Sequence, residues 1–303
     1  MILCIVHARI YLQICKINFW PTAFNGDFFE FLLKQATEGK YEFVEDGNNA
    51  DVIISSVFGN VQYPKEKTIL IIGENLRPNF LRCKFALSHD LDSYFGKNCY
   101  LPIWYTKIAW PGFKYKPNDK LKDHPHEQDG YGYIKLESLI TKRNLNLTKN
   151  KKKFCAMINK NPEILRLNLF AFISSSYKKV DGFGPIFGNV TKQPKLKILK
   201  DYKFCLCPEN SFYPGYITEK LIEAWFAGTI PIWSGSILSK GFINQNSFIN
   251  YQNFNEMGKF IQKIKRLDQN FEEYIDMYEQ PLLLKKPEIK PIFNFFRNAI
   301  FNI

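Results

Sequence analysis

Two stretches of the sequence put polar side chains directly after apolar, β-branched runs, the position from which doubly wound sheets present ligand-binding groups. In the first, Ile69, Leu70, Ile71 and Ile72 lead into Gly73, Glu74 and Asn75. A carboxylate leaving a buried strand there can take the proton of a weak nucleophile, and the glycine is expected to let the backbone turn sharply. Position alone fits a solvated loop glutamate equally well. In the second, Cys205, Leu206 and Cys207 run into Pro208, Glu209, Asn210 and Ser211, and Tyr216, Thr218, Glu219 and Lys220 then open a helix. The free N–H groups of that first turn favour a phosphate, Lys220 can add a point charge, and Glu219 can accept hydrogen bonds from sugar hydroxyls. The plainer reading makes Thr218 an N-cap, Glu219 a complement to the helix dipole and Lys220 a solvated lysine. Leu221, Ala224 and Trp225 recur at helical spacing and belong to a core.

Other chemistry-bearing residues carry weaker signals. Asp90 and Asp92 form a D-x-D in a polar, solvated loop, and His124 and His126 form an H-x-H without the further ligands a metal site needs. No metal site is expected. Cys205 and Cys207 alternate onto one strand face as buried thiols. The sequons at Asn146 and Asn189 matter only in a secreted chain.

The elements that would hold these residues alternate between strand and helix. Residues 10–19, 51–58 and 68–72 read as strands and 25–37 as a helix with Phe28, Phe31 and Leu32 on one face. After a basic, polar stretch at 141–153 the pattern resumes: strand 153–158, helix 163–173, strand 177–180, a glycine-rich loop at 181–188, strand 204–207, and a helix from Thr218 to Ala227 stopped by Gly228 before strand 229–233. Continuous β-branched runs between helices indicate parallel sheets covered on both faces. The fold class is therefore α/β, with domains expected at 1–150 and 151–280 and a tail at 281–303.

At 303 residues, 46% hydrophobic and 23% charged, the chain is neither disordered nor fibrous. The formal charge of +12 favours phosphate-bearing ligands, nucleic acid or anionic membranes without choosing among them. No RNP-like aromatic motif, zinc-finger spacing or basic recognition helix accompanies it, so a nucleic-acid partner is not expected. Seven cysteines without a C-x-x-C pair read as reduced thiols of a cytoplasmic protein. His7, Arg9, Gln13 and Lys16 break up the apolar opening, which leaves neither a membrane anchor nor a clear signal peptide.

Three segments in order carry a resemblance. Gly73-Glu74-Asn75 followed by Pro78-Asn79-Phe80 resembles a GEN-x-x-PNF segment, residues 161–166 resemble an NP…R helix start, and residues 208–235 resemble FENS…GYVTEK…AGxVPVYWG. These belong to the α1,3/α1,4-fucosyltransferases of glycosyltransferase family 10. The resemblance implies a GT-B fold, two Rossmann-like doubly wound domains facing a central cleft, and inverting transfer of L-fucose from GDP-fucose to a hydroxyl of a Gal/GlcNAc-type oligosaccharide on a glycolipid or glycoprotein. The N-terminal domain would hold the acceptor and the C-terminal domain the donor. By the same resemblance Glu74 matches the general base, Arg166 and Lys220 the cations on the diphosphate, and Asn210, Tyr216 and Glu219 further donor contacts, Glu219 on the ribose. No cofactor is then required, because two cations can do a metal's electrostatic work; a divalent metal would at most stimulate. Pro208 in place of Phe, and Trp233-Ser234-Gly235 in place of Tyr-Trp-Gly, depart from the pattern. They leave room for two alternatives: a carbohydrate-binding protein with a decayed site, and a transferase for another nucleotide sugar. The tail pairs Lys285, Lys286, Lys290 and Arg297 with Phe293, Phe296, Ile300 and Ile303, which suits a helix crossing back onto the first domain or a peripheral contact with an anionic membrane.

Overall fold

The computed structural model describes residues 11–17, 26–58, 63–113, 134–148, 151–190, 195–236 and 241–303. They fall into two compact units, Met1–Leu101 with Glu288–Ile303, and Pro102–Pro287. The partition lies upstream of the lysine-rich stretch, and Arg143 shows why. Its buried guanidinium donates to the carbonyls of Trp225, Thr229 and Tyr278 at 2.6–2.9 Å, which ties residues around 143 to the second unit's core.

In the first unit, β1 (Leu12–Ile17), β2 (Tyr41–Phe43), β3 (Val52–Ser56), β4 (Thr68–Ile71), β5 (Phe85–Ser88) and β6 (Asn98–Tyr100) form a six-stranded sheet in the order β2-β1-β3-β4-β5-β6. Every pairing is parallel, with Ile54 opposite Ile69 and Ile71 opposite Leu87. The near-continuous apolar runs of β3 and β4 are what a sheet buried on both faces demands. Helix α1 (Gly26–Thr37) buries Phe28, Phe31 and Leu32 as its spacing predicts, and also Phe29, Leu33 and Ala36. This wider face serves two neighbours. The C-terminal helix (Lys290–Phe301) lies along α1 with Phe293 edge-on to Phe31 at 5.3 Å and Arg297 paired with Glu38 at 3.0 Å, and it buries Ile292, Phe296, Ala299 and Ile300.

The second unit opens with a two-stranded pairing of β7 (Ile108–Ala109) and β8 (Ile134–Lys135), followed by α2 (Leu136–Ile140). Its main sheet contains β9 (Lys153–Ile158), β10 (Val180–Phe183), β11 (Tyr202–Leu206), β12 (Ile230–Trp233) and β13 (Ile249–Asn250), all parallel, in the order β10-β9-β11-β12-β13. Helices α3 (Ile164–Ser176), α4 (Lys195–Leu199), α5 (Glu219–Phe226), α6 (Met257–Gln269) and α7 (Phe271–Glu279) connect and cover it. β10 begins at Val180, not Tyr177. Tyr177 instead caps α3, its N–H on the Ile173 carbonyl, and its hydroxyl is held by Asp268 at 2.8 Å. Among the described residues no helix is long and apolar enough to cross a membrane.

Candidate functional site

The strand order of the second unit reverses between β9 and β11: the chain leaves β9 through α3 toward β10, and leaves β11 through α5 toward β12. Open α/β sheets bind ligands at such a switch point, outside the carboxyl ends of the strands. Arg166, two residues into α3 and 2% exposed, spans it. Its guanidinium donates to Asn159 Oδ1 at 2.9 Å just beyond β9, and to the Pro208 carbonyl at 3.0 Å and Asn210 Oδ1 just beyond β11. Burial lowers the Arg166 pKa, opposed by the neighbouring Glu209, Glu163, Tyr216 and Glu219.

The start of α5 is built around a buried carboxylate. Glu209, 1% exposed, accepts from the Thr218 N–H at 2.9 Å, the Thr218 hydroxyl at 2.6 Å and the Trp233 indole N–H at 3.2 Å, while Lys220 Nζ lies at 3.6 Å. Thr218 is the N-cap, accepting from the Lys220 N–H. Lys220 is not the solvated lysine of the plainer reading: its ammonium donates to Thr218 Oγ1 at 3.0 Å and to Glu219 Oε1 at 3.2 Å. At the far end Gly228, φ +78°, terminates the helix with its N–H on the Trp225 carbonyl, as its position in the sequence predicts.

Cations and carboxylates interleave here. Glu223, one turn beyond Glu219 and buried, receives Lys195 at 2.8 Å and Lys107 at 3.8 Å. Burial opposes ionisation of Glu219, but Lys220, Lys107 and Lys195 outweigh it and hold the carboxyl down at about 2. For Lys220 burial works against the charge, and the Glu219 and Glu209 carboxylates overcome it and raise the pKa. The cations and the free N–H groups of the helix N-terminus can bind a diphosphate, and the ionised carboxylate beside them can accept from hydroxyls. Sequence reasoning brings Arg166, Asn210, Tyr216, Glu219 and Lys220 to one end of this sheet, with Tyr216 only 2% exposed. It passes over Asn159, Glu223, Lys107 and Lys195. The available signal was that Asn159 directly follows an apolar strand and Glu223 shares the Glu219 helix face at i+4.

In the first unit Glu74 is partly exposed, three residues beyond β4. Among the described residues of this unit the left-handed glycines are Gly39 and Gly96, so the turn before Glu74 is made without the freedom expected of Gly73. Arg77 fixes this loop, donating to Asn75 Oδ1, contacting His89 Nε2 at 2.7 Å and pairing with Asp90 at 3.3 Å. Asp90 is 3% exposed and hydrogen-bonded by the Tyr94 hydroxyl at 2.7 Å, which corrects the solvated loop expected for the D-x-D; Asp92 is exposed. Beside the carboxyl end of β3 a cavity of about 240 Å³ is lined by Ser55, Ser56, Tyr63, Thr68, Asn79 and Arg82, among others.

His124 and His126 lie outside the described residues. Among the described residues no group of three or more His, Cys, Asp or Glu side chains could hold a metal ion. Cys205 and Cys207 are buried as expected.

Residues 147–280 match the family model described as glycosyltransferase family 10 (fucosyltransferase), C-terminal. The chain is 28% identical to an alpha-(1,3)-fucosyltransferase, FucT, of Helicobacter pylori, over 96% of this chain and 66% of that protein. It is 31% identical to a putative fucosyltransferase of Acanthamoeba polyphaga mimivirus, over 51% of this chain and 28% of the other. A 4-galactosyl-N-acetylglucosaminide 3-alpha-L-fucosyltransferase 9 of Bos taurus is also 31% identical, over 43% and 37%. The chain thus spans just under two thirds of the first relative's length and much less of the other two. Crystal structures of an alpha1,3-fucosyltransferase with GDP-fucose and with GDP superpose with TM-scores of 0.66 and 0.68 over 97% and 98% of this chain, at 22% and 24% identity. The fold is accordingly the GT-B fold expected from the motifs. The matched segment and the ordered motifs make residues 147–280 similar to the C-terminal part of glycosyltransferase family 10.

Proposed function

We propose that the protein is a fucosyltransferase that moves L-fucose from GDP-fucose to a hydroxyl of a Gal/GlcNAc-type oligosaccharide with inversion at the anomeric carbon. The observation that carries this reading is the convergence of buried Arg166 with Lys220, itself held by the Glu209 and Glu219 carboxylates, at the switch point of the second unit, inside the segment matched to the family 10 model. Arg166 and Lys220 are the proposed diphosphate ligands, Glu219 the ribose acceptor, and Asn210 and Tyr216 further donor contacts. Asn210 also accepts from Arg166, so it fixes the guanidinium that would meet the phosphates.

In the proposed reaction the acceptor oxygen attacks the fucose anomeric carbon, Glu74 takes the hydroxyl proton, and the C–O bond to GDP breaks. The leaving diphosphate keeps the electron pair and its growing charge is met by fixed cations, each such contact being worth about 1.5–3 kcal/mol. Arg166 and Lys220 hold their donors in place before any ligand arrives, which spares reorganisation during the reaction. The cavity of the first unit, where the Ser55, Ser56 and Thr68 hydroxyls and the Asn79 amide stand among Val57, Leu70 and Leu76, supports the acceptor being held there. The free thiols among the described residues support a cytoplasmic setting.

Product analysis after incubation with GDP-fucose and a panel of galactose- and N-acetylglucosamine-containing acceptors tests the reading. Fucosylated product with inverted linkage is expected. Binding of GDP-fucose without turnover on any acceptor would favour a carbohydrate-binding protein with a decayed site.

A further inference from the structure

We infer that the loops joining β4 to β5 and β5 to β6 of the first unit form a docking surface for an anionic lipid bilayer. Leu81 is 85% exposed and Phe95 fully so, with Leu76 and Leu91 adding apolar area on the same two loops. The loops are tied together. Phe80, next to Leu81, meets Tyr94, next to Phe95, with ring centroids 5.3 Å apart. Tyr94 and Phe95 both take left-handed φ values, +47° and +57°, a conformation bulky side chains rarely adopt. The chain therefore accepts backbone strain in a segment that turns Phe95 outward into water.

The charge around these apolar tips selects the partner. Arg82 and Lys97 are exposed, Lys97 lies 5.9 Å from the Phe80 ring, and Lys84 reaches the Asn302 carbonyl on the same unit. Against them stand exposed Asp92 and partly exposed Glu74, while Asp90 is buried against Arg77. Apolar tips inside a net-positive rim match the interface of a bilayer carrying anionic headgroups, where the side chains enter the acyl boundary and the cations stay at headgroup level. The C-terminal helix, for which a membrane contact is the alternative to packing back on the first domain, fits less well because Phe296 and Ile300 are buried within the unit.

Co-sedimentation of the full chain with phosphatidylcholine vesicles, with and without phosphatidylglycerol, tests the proposal. Binding is expected with phosphatidylglycerol, weakening as salt is raised. Replacing Leu81→Ser together with Phe95→Ser should lower the partition constant about tenfold or more per side chain, while Ile164→Ser with Phe271→Ser, exposed apolar residues of the other unit, should leave it unchanged. Arg82→Glu with Lys97→Glu reads the charge separately should the serine variant misfold. Equal binding by the parent and both loop variants would overturn the proposal. So would binding lost only with Phe301→Ser, or parental self-association without vesicle binding that the loop variants abolish. The assay reads no turnover, so its outcome is independent of the role assigned to Glu74.

Discussion

Glu209 shows what a single buried carboxylate does for the proposed donor site. It accepts from Thr218 and Trp233 and leaves Lys220 at 3.6 Å, so it orients the cation without neutralising it in a tight pair. The departures from the family pattern fall around it. Proline at 208 keeps the carbonyl that Arg166 uses, and Trp233 supplies the indole N–H that Glu209 accepts. Replacing Lys220 with Ala should weaken GDP binding by about 1.5–3 kcal/mol, the range for a charge-assisted contact. Circular dichroism should not change, because Thr218 still caps α5. Calorimetric GDP affinity equal to that of the parent would return Lys220 to a structural role. At the other unit, Glu74→Gln keeps the shape and removes the basic oxygen. Turnover should fall by roughly 10²–10⁴ while GDP affinity stays constant, a split that single-turnover rates and calorimetry together resolve. The positions of Glu74, just beyond a strand, and of Lys220, in the first turn of a helix, were legible because each stands beside an apolar run. Glu209 was legible as a polar residue but not as a clamp, since its partners lie 9 and 24 positions away in sequence and only the fold brings them to it.

Among the elements, those whose ends carry their own chemistry were read closely. The strand at 153–158 coincides with β9, and Thr218 and Gly228 mark both ends of α5. Elements defined by tertiary contact were not: α3 runs on to Ser176 and displaces the start of β10 because Tyr177 is anchored by Asp268 on α6, a partner no local pattern reveals. Gly184 belongs to the same class. Its φ of +113° and an added Cβ 2.0 Å from the Asn159 carbonyl show that its role is to let the loop after β10 pass against the residue that holds Arg166. The end of β5 yields a prediction at this scale. His89 is 2% exposed, and burial, with Arg77 adding to it and Asp90 opposing, lowers its pKa from 6.5 to about 4. A depressed histidine pKa means the unfolded chain binds the proton first. The stabilisation is therefore complete above about pH 6.5 and is lost as pH falls toward 4, by an amount on the order of 3 kcal/mol. Thermal melts should show this fall between pH 7 and pH 5, and His89→Gln should flatten it. An equal slope in parent and variant would assign the loss to other groups.

For the whole molecule, the first unit is assembled from both ends of the chain, whereas residues 102–287 make up the second. The C-terminal helix is consequently part of a core laid down by the first hundred residues, and its contribution can be separated from ligand binding in the second unit. Phe296 is fully buried among Ile292, Ala299 and Ile300, so Phe296→Ala should cost about 3–5 kcal/mol through lost transfer energy and the cavity left behind. Every proposed donor ligand lies between Arg166 and Lys220, and GDP should still bind the variant with parental affinity. A ligand that binds only the folded state stabilises it by about 2.7 kcal/mol at a hundredfold excess over Kd, so GDP should raise the melting temperature of both proteins, and UDP should raise it less. The expected pattern in calorimetry is a lowered transition that GDP fails to restore beside one that GDP raises by the same amount in parent and variant. If Phe296→Ala instead abolished the GDP shift, the two units would not be energetically separable and the donor site would depend on the helix. If UDP matched GDP, guanine selectivity would fail, and another nucleotide sugar would replace GDP-fucose as the proposed donor.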